Sequence, residues 1–167
     1  SFDKYLIHWP LPKQDKYEEA WQALVDAQKF GLIKTIGVSN FLPEHLERII
    51  EKTGVTPATN QIERHPYFNN NDLVKANKEL GILTEAWSPF GREINDVLEN
   101  EIIVAIAKKY GKEPAQIILR WNLQNGVMPI VKASSYKHQK ANLDVFDFAL
   151  TKEDIQKIDS LDKREEG

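Results

Sequence analysis

The chain has 167 residues, 41% of them hydrophobic and 28% charged, with a formal net charge of −3 and no cysteine. That length and balance suit a soluble globular domain with a sizeable core. The mixed charge offers no basic field to nucleic acid, and the lack of cysteine excludes disulfides and thiolate metal sites. No apolar run approaches the length of a membrane span and no secretory signal is evident, so no membrane partner is expected and the cytoplasm is the expected compartment.

Along the chain, Tyr5-Leu6-Ile7 predicts a strand apolar enough to be covered on both faces. From Tyr17 to Phe30, Trp21, Leu24, Val25 and Ala27 fall at helical spacing, and Gly31 closes the helix. Thr35 to Val38 predicts a strand, Pro43 opens a helix reaching about Thr53, Thr59 to Ile62 is a strand, and Asp72 to Leu80 is a helix stopped by Gly81. Ile82 to Ala86 follows as strand, Glu101 to Tyr110 and Pro114 to Gln124 as helices around Gly111, and Met128 to Val131 as strand. Two last helices are expected near Tyr136 to Asn142 and Lys152 to Leu161.

Strands exchanging with helices imply a parallel sheet, because crossover helices join parallel neighbours while burying both faces. A doubly wound sheet lacks support, since no strand leads into a G-x-G-x-x-G turn. Almost every strand ends instead in a polar cluster: His8, then Ser39-Asn40, Gln61 with Glu63, Glu85 with Ser88, and Lys132 with Ser134. A barrel builds its site in this way, from successive strand ends at one face. About five strands are present where closure takes about eight, so residues 1–167 are expected to form a single domain that is a partial barrel lacking its first third.

Each cluster has a chemical and an ordinary reading. His8, at the end of Tyr5-Leu6-Ile7-His8-Trp9-Pro10, offers a neutral imidazole to a substrate oxygen, or is a core histidine bonded to backbone. Ser39 and Asn40 offer donors and acceptors to a planar amide, or cap the helix at Pro43. Gln61 in Asn60-Gln61-Ile62-Glu63-Arg64-His65-Pro66 meets the same amide or is satisfied in the core, and His65 reads as a loop residue. Trp87 stacks on a flat heteroaromatic ring or simply packs, while Lys132 and the neighbouring hydroxyls suit a phosphate unless the lysine is merely solvated.

Six segments in order, YLIHWP, GLIKTIGVSNF, TNQIERHP, AWSPF, KEPAQIILRW and NLDVFDFALT, make the whole chain resemble the aldo-keto reductases. The resemblance implies a (β/α)8 TIM barrel, with about five of its eight βα units here, and reversible hydride transfer between NADPH, or NADH, and a small-molecule aldehyde or ketone. It gives His8 the role of the catalytic histidine and makes Trp9 a wall of the substrate pocket. Ser39, Asn40 and Gln61 hold the nicotinamide carboxamide, Trp87 stacks on its ring, and Ser88 and Phe90 line the pyrophosphate. Lys132, Ser134 and Asn142 bind the adenosine end, with Lys132 on the ribose phosphate.

Two departures follow from the same resemblance. His138 stands where many members carry an arginine on the adenine and its ribose phosphate, and Ala133 replaces a common serine, which weakens strict NADP preference. The family's tyrosine proton donor and its aspartate and lysine partners fall before His8, so this chain alone is expected to be inactive, and its open strand edges to favour self-association, whereas the full-length form is expected to be monomeric. A non-catalytic cofactor-binding or regulatory module on the same barrel is the alternative. A metal-dependent hydrolase using Glu63 and Glu85 lacks a clustered ligand pair.

Overall fold

The structure is a computed structural model that describes residues 2–10, 16–91, 94–131 and 144–164. Its elements in chain order are β1 (Phe2–Ile7), α1 (Lys16–Lys29), β2 (Ile33–Ser39), α2 (Pro43–Thr53), β3 (Thr59–Glu63), α3 (Asn71–Glu79) and β4 (Leu83–Trp87), then α4 (Ile94–Leu98), α5 (Glu101–Tyr110), α6 (Pro114–Gln124), β5 (Val127–Pro129) and α7 (Lys152–Asp159). Hydrogen bonding runs through one sheet in the order β1-β2-β3-β4-β5, the sequential order that right-handed βαβ units produce. The chain forms two compact units: Ser1–Ile62 with Asn71–Glu85, and Glu63–Asn70 with Ala86–Gly167.

In the first unit β1 and β2 are parallel, with Leu6 opposite Gly37 and Ile7 opposite Val38. β2 and β3 are parallel with Ser39 opposite Gln61. Helices α1 and α2 place Trp21, Leu24, Val25, Leu46 and Ile49 on a core shared with Ile36, Val38 and Phe41 of β2 and the turn after it. The buried Trp21 keeps its indole N–H satisfied by Thr53 Oγ1 at 3.2 Å and the Val55 carbonyl at 3.3 Å.

The expectation of a strand covered on both faces is not met within the described residues, where Tyr5 is 52% exposed and β1 pairs with β2 alone. Among the described residues it is an edge strand, so only the side toward β2 is paired. The apolar run marked a strand correctly but not its burial.

The second unit packs around Ile103, Ile106, Ile117, Ile118, Trp121 and Ile158. Here helix limits follow local chemistry. Asn100 caps α5 by accepting the Ile102 N–H at 2.9 Å, and Gly111 ends it at φ +64°. At α7, Thr151 accepts the Asp154 N–H and Asp154 accepts the Thr151 N–H, each at 3.1 Å. Burial pushes the Asp154 pKa up, but hydrogen bonds from Tyr110, Thr151 and Lys109 outweigh it and hold the carboxyl at about 2. The short α4, which the sequence did not announce, is too brief to show a helical period.

The close approach of β2 to its neighbours has a visible cause. A Cβ at Gly37 would lie 2.4 Å from Thr59 Oγ1 and 2.8 Å from Leu6 Cδ2, so only glycine leaves the strands at their present spacing. Gly37→Ala should therefore lower stability by about 1–3 kcal/mol in urea unfolding. An unchanged unfolding midpoint would contradict that packing.

Candidate functional site

The polar ends of β1, β2 and β3 form a connected set in the first unit. The backbone carbonyl of Gln61 accepts two bonds from the turn after β2, from Asn40 N–H at 2.8 Å and Ser39 O–H at 2.9 Å. Asn40 Nδ2 donates to the His8 carbonyl at 2.9 Å and to Ser39 Oγ at 3.2 Å, which ties the end of β1 to the end of β2. Asn40 adopts φ +63°, a left-handed conformation that asparagine tolerates better than most residues.

Ser39 and Asn40 do not cap α2. Leu42 occupies that position, and its N–H donates to His45 Nδ1 at 3.0 Å. His45 is buried edge-on against Tyr17 and Phe41 with ring centroids 5.5 and 5.9 Å away. Burial holds its pKa below the usual imidazole value, with Glu44 opposing, so the ring stays a neutral acceptor. The Ser39 and Asn40 side chains bond the strand ends instead.

The Gln61 side chain turns elsewhere: Nε2 donates to Glu85 Oε1 at 3.3 Å, and Lys4 Nζ bonds the same oxygen at 2.7 Å. No described residue donates to Gln61 Oε1. Gln61 is half-buried, and the His8 and Trp9 side chains are exposed, Trp9 by 59%. The structure thus joins His8, Ser39, Asn40 and Gln61 through hydrogen bonds, those of His8 running through its backbone.

In the second unit Trp87 is half-buried and its carbonyl accepts the Arg64 N–H at 3.2 Å. Ser88 lies at φ +49° in a turn whose carbonyl accepts the Gly91 N–H at 2.9 Å. Phe90 is 5% exposed and belongs to the apolar core of this unit. Lys132, Ser134, His138 and Asn142 lie outside the described residues.

Two features escaped the sequence reading. Arg64 is fully buried, with its guanidinium 3.9 Å from the Trp121 ring centre and Nη1 donating to Asn122 Oδ1. Burial pulls its pKa down to about 10, with Asp159 opposing. His65, expected in a loop, does follow β3, but it is buried in a two-residue bridge with Phe68 and bonds Glu63 Oε2 at 2.8 Å. Glu63 and Glu85 are thus engaged by His65 and by Lys4 with Gln61, and among the described residues no three His, Cys, Asp or Glu gather as a metal site. Nothing in spacing along the chain pairs residue 64 with residues 121 and 122; only a charged residue at a strand end hinted at Arg64.

Comparison with known proteins agrees in fold and sequence. The family model described as "Aldo/keto reductase family" matches residues 1–163. The chain is 45% identical over 161 residues to methylglyoxal reductase DkgA of Escherichia coli, covering 96% of this chain and 58% of that protein. It is 42% identical, with the same coverage, to 2,5-diketo-D-gluconic acid reductase B of Corynebacterium. A mutant of Gox0644 solved in complex with NADPH superimposes with a TM-score of 0.90 at 49% identity, over 96% of this chain and 58% of that one. The chain therefore spans about 58% of the length of the curated relatives it matches.

The turn geometry makes a distinct prediction. Asn40→Gly removes the bonds to His8 and Ser39 but keeps the left-handed backbone accessible, whereas Asn40→Ala loses both. Thermal unfolding should show the alanine variant less stable than the glycine variant by about 1 kcal/mol. Equal stabilities would mean that the positive φ carries no strain.

Proposed function

Because the chain belongs to the aldo/keto reductase family, we propose that the protein carrying it reduces the carbonyl of small aldehydes and ketones with NADPH, with NADH as the other donor it accepts. The observation that carries this reading is the linkage of His8, Ser39, Asn40 and Gln61 at three adjacent strand ends. Methylglyoxal and diketogluconate, which the names of two relatives point to, suggest small polar compounds with adjacent or multiple carbonyls as substrates. Residues 1–167 then act as one domain of a (β/α)8 barrel, in a cytoplasmic protein that is monomeric at full length.

The residues present suit a nicotinamide carboxamide. Among the described residues nothing donates to Gln61 Oε1, which would accept from the carboxamide NH2 group. The carboxamide oxygen would take an Asn40 N–H at the expense of the longer 3.2 Å bond to Ser39. Trp87 would stack on the ring, Ser88 and Phe90 would line the pyrophosphate, and Lys132, Ser134, His138 and Asn142 would hold the adenosine end. When bound, the cofactor supplies the hydride. His8 donates a hydrogen bond to the substrate oxygen, which orients the carbonyl and stabilises the negative charge developing there, and Trp9 forms a wall of the pocket.

Among the described residues no tyrosine bonds or packs against His8 as an acid would. Tyr17, for example, is buried against Phe41 and His45. We therefore assign the proton donor to sequence outside these 167 residues, and the chain by itself should not turn over.

In the full-length protein, His8→Ala should lower kcat with methylglyoxal by about a hundredfold or more, while the Kd for NADPH from protein fluorescence stays within about twofold. Unchanged kcat would remove His8 from the chemistry. NADPH binding with no turnover in the unsubstituted protein would favour a binding module.

A further inference from the structure

We infer that Glu85 is a positioning residue: held by Lys4, it fixes the side-chain amide of Gln61 so that the carbonyl oxygen, and not the NH2 group, faces the cofactor. This rests on the proposed nicotinamide site and extends it to two residues to which that reading gave no role.

The argument begins with the ambiguity of a glutamine. Its amide has a donor end and an acceptor end of nearly equal size, and a turn of half a circle about the last bond exchanges them. A half-buried glutamine at a binding site can therefore meet a ligand with either polarity unless a neighbour chooses for it. An ionised carboxylate makes that choice, because it only accepts hydrogen bonds. With Nε2 toward Glu85 Oε1 the contact is a hydrogen bond at 3.3 Å, whereas the turned amide would set two acceptor oxygens against each other.

Glu85 must then stay in place. Its side chain is only 8% exposed, and Lys4 Nζ bonds the same oxygen at 2.7 Å from the edge strand β1. Burial strengthens this contact relative to one in open water. The Gln61 backbone is fixed independently, because its carbonyl accepts from Ser39 and Asn40. With the backbone held, the side-chain amide is oriented by its bond to Glu85. The outcome is an acceptor aimed away from Glu85, which recognises the N–H2 of a carboxamide and gains nothing from a ligand that carries a methyl group there.

The test compares two cofactors with the full-length protein: NADP+ and its 3-acetylpyridine analogue, in which a methyl replaces the carboxamide NH2. Kd values come from fluorescence titration, so no turnover is needed. The unsubstituted protein should prefer NADP+, and Glu85→Gln should lose about tenfold of that preference, chiefly through weaker NADP+ binding. Glu85→Asp, which keeps an anion beside Lys4 but withdraws it from Gln61 by one methylene, should lose preference in the same direction. In a Gln61→Ala background Glu85→Gln should have no further effect on the ratio, which a general loss of structure would not produce. A ratio unchanged in both Glu85 variants, or an equal loss with Gln61 already removed, overturns the role of Glu85. Failure of the unsubstituted protein to bind NADP+ at all would overturn the functional reading itself.

Discussion

The organisation of the candidate site depends on one backbone group, the carbonyl of Gln61. It accepts the Asn40 N–H and the Ser39 hydroxyl together, so the turn after β2 is pinned to the end of β3. Because Asn40 in turn donates to the His8 carbonyl, the constraint extends to β1. Three strand ends are set by bonds that each contribute roughly 1 kcal/mol net, but whose loss would leave polar groups at the end of a buried strand unpaired. The side chain of Gln61 continues the chain of contacts through Glu85 to Lys4, back on β1.

This arrangement needs the strands close together and the helix start independent of the site. Gly37 meets the first need, since any side chain there would press on Thr59 and Leu6. His45 meets the second by accepting the Leu42 N–H at the start of α2. The imidazole itself is packed edge-on between Tyr17 and Phe41. In the second unit Arg64 fills a comparable structural role: stacked on Trp121 and bonded to Asn122, it anchors the chain just after β3 to helix α6.

Much of this was legible in the sequence where the chemistry is local. The helix from Pro43 to about Thr53 is legible because proline marks its first turn, and the structure ends it at Thr53 with Gly54 following at φ +73°. Strand ends carrying His8, Ser39, Asn40 and Gln61 were visible because polar residues interrupt apolar runs. What was not legible depends on distant partners. The Lys4–Glu85 contact spans 81 residues and Arg64–Asn122 spans 58, and no periodicity encodes such pairs. The 52% exposure of Tyr5 within these residues is likewise not encoded in its own apolar run, which records only what the strand is able to bury.

The most direct test of this account is a crystal structure of the full-length protein with NADP+ bound. The account predicts the carboxamide nitrogen within about 2.7–3.2 Å of Gln61 Oε1, with Gln61 Nε2 still turned to Glu85. A Gln61 amide turned the other way, or a nicotinamide lodged away from the ends of β1, β2 and β3, would contradict it.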